Sequence, residues 1–278
     1  MKQIISRFLC AIAVIYLIIC ALIYFYPLPF FYNPSSRVSN IEHAHQYDYP
    51  AQEVKYTSAD GTPLFAWYTP AQQGKKMIIF MHGNSHNVEE FYYKLKAFAY
   101  DGYGTFIPEY RGFGGVSGKI NQKNLEDDAI AAVKYLNKQG YKNSDIYVYG
   151  MSLGSHMATH AVAELQNEGI FAGLILEVPF DSLLNVARTV VPFLPLNIIV
   201  RDKYDNLADI QKVKSPILIM GGEVDATVPV DLAVNLYNHA PSPKKMIIYK
   251  NGKHSNLFNF RNDLDILNWI YMNEKGIK

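Results

Sequence analysis

Short apolar runs alternate with longer amphipathic segments along most of the chain after residue 34. Eight runs have the length and composition of strands, at about 53–57, 64–68, 77–81, 104–108, 146–149, 174–177, 217–220 and 246–249. Helix-length segments separate most of the later runs, at about 88–100, 124–139, 155–166, 230–239 and 257–273. This alternation is typical of a mostly parallel sheet with helices on both faces. The first two strands, joined by SADGTP, are instead predicted to form an antiparallel hairpin.

The amino-terminal segment has a different pattern. Residues 8–26 form an uncharged, mostly aliphatic run, which as a helix would extend about 28 Å, close to the thickness of the hydrocarbon layer of a bilayer. We expect an uncleaved transmembrane anchor and exit segment at 1–34, followed by one globular domain at 35–278. A cleaved signal peptide and a buried core helix are the alternatives. Large residues in LIYFYPLPFFYNP, after the apolar run, argue against cleavage.

Charges on the two sides of this run predict its orientation. Lys2, Arg7 and the amino group precede it, whereas Arg37 follows it with Glu42 and Asp48. Positive residues favour the cytoplasmic side, so we expect a cytoplasmic amino terminus and a globular domain across the membrane, in a periplasm or a luminal or extracellular space. Aromatic residues at the exit are typical of a membrane interface. They are Tyr24, Phe25, Tyr26, Phe30, Phe31 and Tyr32.

Composition narrows the classes of function. The 278 residues are 49% hydrophobic and 18% charged, with a net charge of +1. A chain of this length can bury one large core, and the absence of a basic run argues against nucleic-acid binding. Both cysteines, Cys10 and Cys20, fall within the apolar run. The globular part therefore has no thiol that would indicate its redox compartment.

One serine is flanked by glycines in the sequence YGMSLGSHMATH. Gly150, Ser152 and Gly154 follow the strand candidate DIYVYG and precede a helix candidate. A nucleophile on so sharp a turn needs glycines where side chains would collide with the neighbouring strand and helix. The helix amino terminus would favour a developing negative charge. Taken alone, the motif also fits a plain glycine-rich turn.

A second apolar strand leads directly into His82, Gly83 and Asn84. A nucleophilic serine needs backbone N–H groups that stabilise an oxyanion, one from the residue after the serine and one from this type of loop. Leu153 and Asn84 are the predicted pair. His82 has an alternative structural task, which is to end the strand and cap loop carbonyls.

Candidates for the acid and the base follow two later strands. Asp225 lies in PILIMGGEVDATVP and His254 in MIIYKNGKHSN, which gives the order serine, acid, histidine. Asp225 could instead cap the following helix. Glu177 and Asp181 in LILEVPFD are the alternative acids, because they follow the preceding strand.

Together these motifs resemble the α/β-hydrolase superfamily, in particular serine hydrolases with a single amino-terminal anchor, which include lipid hydrolases and protein depalmitoylases. The matching pieces are MHGN, YRGFGGVSG, GMSLGS, GGEVDATVP and GKHSN, in family order. The resemblance implies an α/β-hydrolase fold with a mostly parallel eight-stranded sheet flanked by helices. It implies Ser152 as the nucleophile, His254 as the general base and Asp225 as its partner. Gly222 departs from the family, where many members have histidine.

The expected activity is cleavage of an acyl ester or thioester through an acyl-enzyme, without metal or organic cofactor. The substrate would be a small molecule, a lipid or a lipidated protein. A serine peptidase on the same fold and a non-catalytic, membrane-tethered binding module are the alternatives. His156 and His160 have helical spacing, but HMATH lacks the glutamate of H-E-x-x-H, and no third metal ligand is evident.

The segment between the sixth and seventh predicted strands is more apolar than a connecting loop requires. We expect a small cap at about 178–214. Its larger apolar residues would either line an acyl pocket or pack against the domain. They are Phe180, Leu183, Val186, Phe193, Leu194, Ile198 and Ile199.

Overall fold

A computed structural model describes residues 1–277, apart from the side chain of residue 28; residue 278, the last of the predicted domain, lies outside it. The strands described are β1 (Asn33–Pro34), β2 (Gln52–Thr57), β3 (Pro63–Thr69), β4 (Met77–Met81), β5 (Ser85–His86), β6 (Gly104–Pro108), β7 (Ile146–Met151), β8 (Gly173–Glu177), β9 (Ile217–Gly222) and β10 (Lys244–Tyr249). The α-helices are α1 (Lys2–Phe25), α2 (Leu28–Phe31), α3 (Ile41–His45), α4 (Tyr93–Tyr100), α5 (Gln122–Lys138), α6 (Leu153–Leu165), α7 (Leu183–Val190), α8 (Leu196–Ile199), α9 (Asn206–Ile210), α10 (Val230–His239) and α11 (Asn262–Glu274).

Eight strands form one sheet in the order β10-β9-β8-β7-β4-β6-β3-β2. The pairs β2–β3 and β3–β6 are antiparallel, and the other neighbours are parallel. All eight strands predicted from the apolar runs are present, and the SADGTP hairpin is confirmed. The predicted fold class is therefore confirmed.

The central strands are buried on both faces, as their unbroken apolar sequences require. Every residue of β4, β7 and β8 is buried. One face packs against α5, α6 and α10 through side chains such as Leu125, Met157 and Leu236. The other face packs against α4 and α11 through Phe98 and Trp269. Parallel sheets depend on helices that cover both faces. The parallel direction of the strands places their carboxyl ends at one edge of the sheet, where ligands bind in such folds.

The exit segment after α1 is part of the globular body. Tyr32 is 5% exposed. Its hydroxyl donates to Asp202 Oδ2 at 2.8 Å and lies 2.6 Å from the hydroxyl of Tyr204. Immediately afterwards, the two-residue strand β1 pairs in parallel with β5. The chain that leaves α1 is thus fixed to the loop that follows β4.

A small helical insertion between β8 and β9 contains α7, α8 and α9. An isolated antiparallel bridge between Ser182 and Asp205 joins its two ends. Apolar side chains of α7 and α8 form a separate cluster with the second half of α1, including Cys20 and Ile23. The helix α1 is long and apolar enough to cross a membrane, by length and composition, and little of its apolar stretch is buried.

Candidate active site

Ser152 stands at the turn between β7 and α6 with φ 54° and ψ −119°. A residue with a Cβ rarely adopts such a backbone, so the fold holds it there against a local energetic cost. Only glycines fit around it. A Cβ on Gly154 would lie 2.0 Å from the Met81 carbonyl oxygen, and one on Gly150 would lie 2.3 Å from the Gly154 oxygen. The collisions expected from the sequence are therefore present.

Three of the predicted site residues form one hydrogen-bonded chain. His254 Nε2 lies 2.9 Å from Ser152 Oγ, and His254 Nδ1 lies 2.8 Å from Asp225 Oδ2. The other oxygen of Asp225 accepts the N–H groups of Thr227 and Val228, each at 2.9 Å. An ionised carboxylate can only accept, so Nδ1 carries the proton and a neutral ring presents its Nε2 lone pair to the serine hydroxyl.

The hydrogen-bonded residues Asp225 and His254 differ in burial. The Asp225 side chain is 1% exposed, whereas that of His254 is 17% exposed. The carboxylate is therefore held out of water with its hydrogen bonds satisfied, and the imidazole remains reachable from solvent. This arrangement fixes both the orientation and the tautomer of the ring.

The two predicted oxyanion donors lie beside the serine. A Cβ on Gly83 would sit 3.5 Å from Ser152 Cβ, which shows how closely the loop containing Asn84 approaches. The backbone N–H groups of Asn84 and Leu153 donate to no protein atom among residues 1–277. Asn84 is held through its own oxygens, because the N–H of Asn33 in β1 donates to its carbonyl at 3.2 Å and to its Oδ1 at 3.3 Å.

His82 holds the loop that contains Asn84 in position. Its side chain is fully buried, with Nδ1 donating to the Gly83 carbonyl at 2.9 Å and Nε2 lying 3.0 Å from Glu109 Oε1. Glu109 also accepts the N–H of Val88 at 3.0 Å. The capping role considered for His82 is thus present. Glu109 was not identified from the sequence, although it directly follows β6 at the same edge of the sheet.

The two alternative acids, Glu177 and Asp181, are hydrogen-bonded to other residues. The Glu177 carboxylate accepts from Lys94 Nζ at 2.8 Å and from the Tyr149 hydroxyl. Asp181 accepts from two asparagine side chains. Neither carboxylate is hydrogen-bonded to His254, so the geometry favours Asp225 as the partner of the histidine.

Comparisons with known proteins agree with this architecture. Residues 72–196 match the family described as serine aminopeptidase, S33. The chain is 27% identical to YfhR of Escherichia coli K12 over 239 residues, covering 84% of this chain and 81% of YfhR. It is 30% identical to human ABHD12B over 214 residues, covering 69% of this chain and 59% of that protein. The Pyrococcus furiosus esterase Pf2001 superposes with a TM-score of 0.66 at 19% identity, covering 88% and 98% of the two chains. The chain is an α/β hydrolase.

The cleft of this α/β hydrolase beside Ser152 has a volume of about 380 Å³. Its lining mixes polar groups with a few aromatic and apolar ones. The lining residues are Gly83, Asn84, Ser85, His86, Glu90, Phe91, Tyr93, Met151, Ser152, Thr227, His254 and Ser255.

The acyl pocket proposed for the cap residues is not part of this cleft. None of the seven apolar residues predicted for it lines the cleft. Phe180, Leu183 and Val186 pack in or against the main core, and Leu194 and Ile199 pack near α1. The two that remain, Phe193 and Ile198, are exposed. Of the two alternatives, packing is therefore present for five of the seven residues, and the acyl pocket is not formed by any of them in this cleft. Apolar content alone does not reveal which neighbour a cap faces.

The histidines of α6 belong to a polar network that the sequence did not reveal. His156 Nε2 lies 2.8 Å from Glu126 Oε1 in α5, and His156 Nδ1 lies 3.1 Å from Asn206 Oδ1. His160 Nδ1 lies 2.9 Å from Asp209 Oδ2. Glu126 and the two histidines carry ligand atoms of the kinds that bind a metal cation, and these atoms lie close together. Because both rings are hydrogen-bonded to oxygen acceptors, we interpret the network as a polar connection between α5, α6 and α9.

This network shifts the pKa values of its members. Burial alone would lower the pKa of His160, but the hydrogen bond to Asp209 and the charge of Glu126 outweigh it and raise that pKa. Burial opposes ionisation of Asp209, but its hydrogen bonds with His160 and Lys212 lower its pKa to about 2. Both shifts favour the ion pair in the folded state.

Proposed function

We propose that this α/β hydrolase is a serine hydrolase that cleaves acyl esters or thioesters through a Ser152–His254–Asp225 triad. The observation that supports the proposal is the unbroken hydrogen-bonded chain from Ser152 Oγ through His254 to Asp225. A hydroxyl has little nucleophilicity at neutral pH without such a base. The N–H groups of Asn84 and Leu153, which donate to no protein atom in the described part of the chain, are the donors that we assign to the oxyanion.

In the proposed reaction, Ser152 Oγ attacks the acyl carbonyl while His254 Nε2 takes the hydroxyl proton. Asp225 keeps Nδ1 protonated and stabilises the imidazolium. Collapse of the tetrahedral intermediate breaks the bond to the leaving group, which receives the proton from His254. Water then attacks the acyl-enzyme with His254 again as the base, and this step releases the acid and regenerates the serine hydroxyl.

An ester or thioester is the favoured substrate class. Phe91, Tyr93 and Met151 give the cleft some apolar surface for an acyl group. The structural likeness to an esterase agrees with this choice. Because α1 is apolar enough to cross a membrane, we extend the proposal to acyl groups presented by a lipid or a lipidated protein.

A serine peptidase is the second candidate, because the matched family is described as serine aminopeptidase. Glu90 in the cleft could bind a substrate amino group, although its carboxylate already lies 2.9 Å from His86 Nδ1. Turnover of acyl esters of graded chain length, measured beside aminoacyl and peptide amides, separates the two activities. Efficient hydrolysis confined to the amides would replace the esterase proposal.

The nucleophile is tested with Ser152→Ala and a fluorophosphonate probe. The variant should keep its far-UV circular dichroism but lose hydrolysis by several orders of magnitude, because the acyl-enzyme cannot form. The probe should label the natural protein and not the variant. Unchanged turnover, or labelling at another residue, would sink the proposal.

We also propose that α1 anchors the hydrolase in a membrane, with a cytoplasmic amino terminus and the globular domain on the far side. The positive charges at the amino-terminal end of α1, which are the amino group, Lys2 and Arg7, support this orientation. The protein should sediment with membranes until detergent is added, and protease added from the far side should digest the globular domain. Digestion only from the cytoplasmic side would reverse the orientation.

A further inference from the structure

The cap carries an exposed apolar tip. Val190, Phe193 and Ile198 are 71%, 70% and 73% exposed, and we call these three residues the cap tip. Ile198 also borders a mainly apolar surface pocket of about 480 Å³ together with Leu194 and Leu196. Arg188 and Asn197 are the polar residues of this lining, and the Arg188 guanidinium donates to the side-chain oxygens of Asn185 and Asn197. Continuous apolar surface of this kind on a globular domain marks an interaction site.

The cap is packed along the second half of α1. The Tyr16 hydroxyl donates to the Phe193 carbonyl at 3.1 Å. Cys20 and Ile23 are buried in one cluster with Leu194 and Ile199. The cap tip and α1 therefore form a continuous surface, and whatever solvent surrounds this part of the helix also surrounds the tip.

The position of this contact along α1 determines how deep Phe193 would lie in a bilayer that α1 crosses. Tyr16 precedes Tyr24, the first aromatic residue of the exit, by eight residues, which is about 12 Å along a helix axis. A helix tilt of up to about 40° leaves roughly 9 Å of that along the membrane normal. The hydrocarbon part of one leaflet is about 15 Å thick. If Tyr24 lies at the interface, Phe193 must lie within the hydrocarbon.

Cations lie at the level expected for lipid phosphates. The Arg201 guanidinium stands 5.5 Å from the centre of the Tyr24 ring. A surface groove beside Phe25 is lined by Lys119, Lys123 and Arg201. The same lining holds the Glu126 and Asp202 carboxylates, and Lys123 Nζ pairs with Asp127 at 2.7 Å. Among residues 1–277, Arg201 and Lys119 form no ion pair, so they are the cations that remain for a lipid phosphate. Apolar residues on one side of the helix exit and cations beside it match the two layers of a leaflet that contains anionic lipid.

We propose that the cap tip inserts into the hydrocarbon of the leaflet from which α1 emerges, while the cations at the helix exit contact anionic headgroups. The inference rests on the proposed membrane crossing of α1. The domain is then attached to the bilayer at two points, the helix and the cap. Two attachments restrict rotation about the helix and keep one edge of the hydrolase against the lipid surface.

Tryptophan fluorescence in vesicles tests the insertion. The full-length protein is reconstituted into phosphatidylcholine and phosphatidylglycerol, with or without bromine on the acyl chains as a quencher. Phe193→Trp and Ile198→Trp report on the tip, and Leu17→Trp reports on α1. Ile170→Trp is the matched control, because this exposed isoleucine precedes β8 and lies at the opposite end of that strand from the cap. The signal of the buried Trp67 and Trp269 is subtracted with the natural protein.

Both tip reporters should show blue-shifted emission and lose most of it in brominated vesicles, as Leu17→Trp does, whereas Ile170→Trp keeps its emission. Quenching of Leu17→Trp alone would overturn the insertion and leave the anchor intact. Tip emission that is blue-shifted but unquenched would indicate cover by protein, such as a second copy, and would also overturn it. Absence of quenching at all positions would refute the anchor itself. Fluorophosphonate labelling of each variant reports separately on fold and on the proposed activity.

Discussion

The backbone at Ser152 predicts an unusual order of stability among inactive variants. Ser152→Ala and Ser152→Gly both remove the hydroxyl and its 2.9 Å hydrogen bond to His254. The Ser152 side chain makes no hydrogen bond that caps α6, so neither replacement removes a cap. In the folded state the two variants therefore differ in one respect, which is whether a Cβ must occupy φ 54° and ψ −119°.

The expected difference in stability between Ser152→Gly and Ser152→Ala follows from two opposing contributions. Holding a residue with a Cβ in such a backbone region costs about 1–3 kcal/mol, which glycine avoids. Glycine in turn gives the unfolded chain more conformational freedom, which costs about 0.4–1 kcal/mol of stability relative to alanine. Ser152→Gly should therefore be more stable than Ser152→Ala by about 1 kcal/mol, or roughly 2–4 °C in Tm for a chain of this size.

Urea unfolding of the full chain in detergent measures the difference, with the fluorescence of Trp67 and Trp269 as the probe and equal m values as the condition for comparison. Lys134 provides the control, because it is exposed in the interior of α5. There the glycine variant should be less stable than the alanine variant by about 1 kcal/mol. If the variant with glycine at position 152 proves equal to or less stable than the variant with alanine, the assignment of backbone strain to Ser152 is wrong.

Three further predictions concern activity and pH. Asp225→Asn should keep the fold and lower kcat by as much as ~10⁴, because the histidine would lose its required tautomer. Asp181→Asn should change kcat little. Comparable losses of kcat in both variants would contradict the assignment of Asp225 as the acid. Gly154→Ala should abolish activity with reduced stability, seen as lost fluorophosphonate labelling and a lower urea midpoint, since its Cβ would lie 2.0 Å from the Met81 oxygen; normal labelling would count against the close approach. The raised pKa of His160 contributes stability that is present below its ordinary value of about 6.5 and is lost as pH rises through the raised value. The lowered pKa of Asp209 contributes stability that is present above its ordinary value and is lost as pH falls through about 2. Urea midpoints across pH should show the loss at high pH in the natural protein and less of it in His160→Gln.

The large elements and the site positions were predictable because both follow from local patterns. Each apolar run was long enough to specify a strand, and the candidate serine, acid and histidine stand where strands end. The structure brings Ser152, Asp225 and His254 into contact. Their chemical roles stay predictions.

Other features depend on contacts between distant segments and carry no local pattern. The strands β1 and β5 have two residues each, too few to show any alternation. Glu126 joins His156 only because α5 packs against α6. Phe193 is as apolar as a pocket residue but lies exposed beside α1. In each case the partner, rather than the residue type, decides the role.

If α1 is the anchor that we propose, the pairing of β1 with β5 means that cleavage after α1 changes the candidate site as well as the location of the protein. A cut between residues 35 and 40 would free most of the globular part but remove Asn33, whose N–H binds both oxygens of Asn84. It would also remove Tyr32, which holds Asp202 and Tyr204. A cut between residues 26 and 30 would leave both contacts in place. Cleavage at the first position therefore yields a fragment in which the loop around Asn84 has lost its contacts with Asn33, whereas cleavage at the second yields a fragment that keeps them.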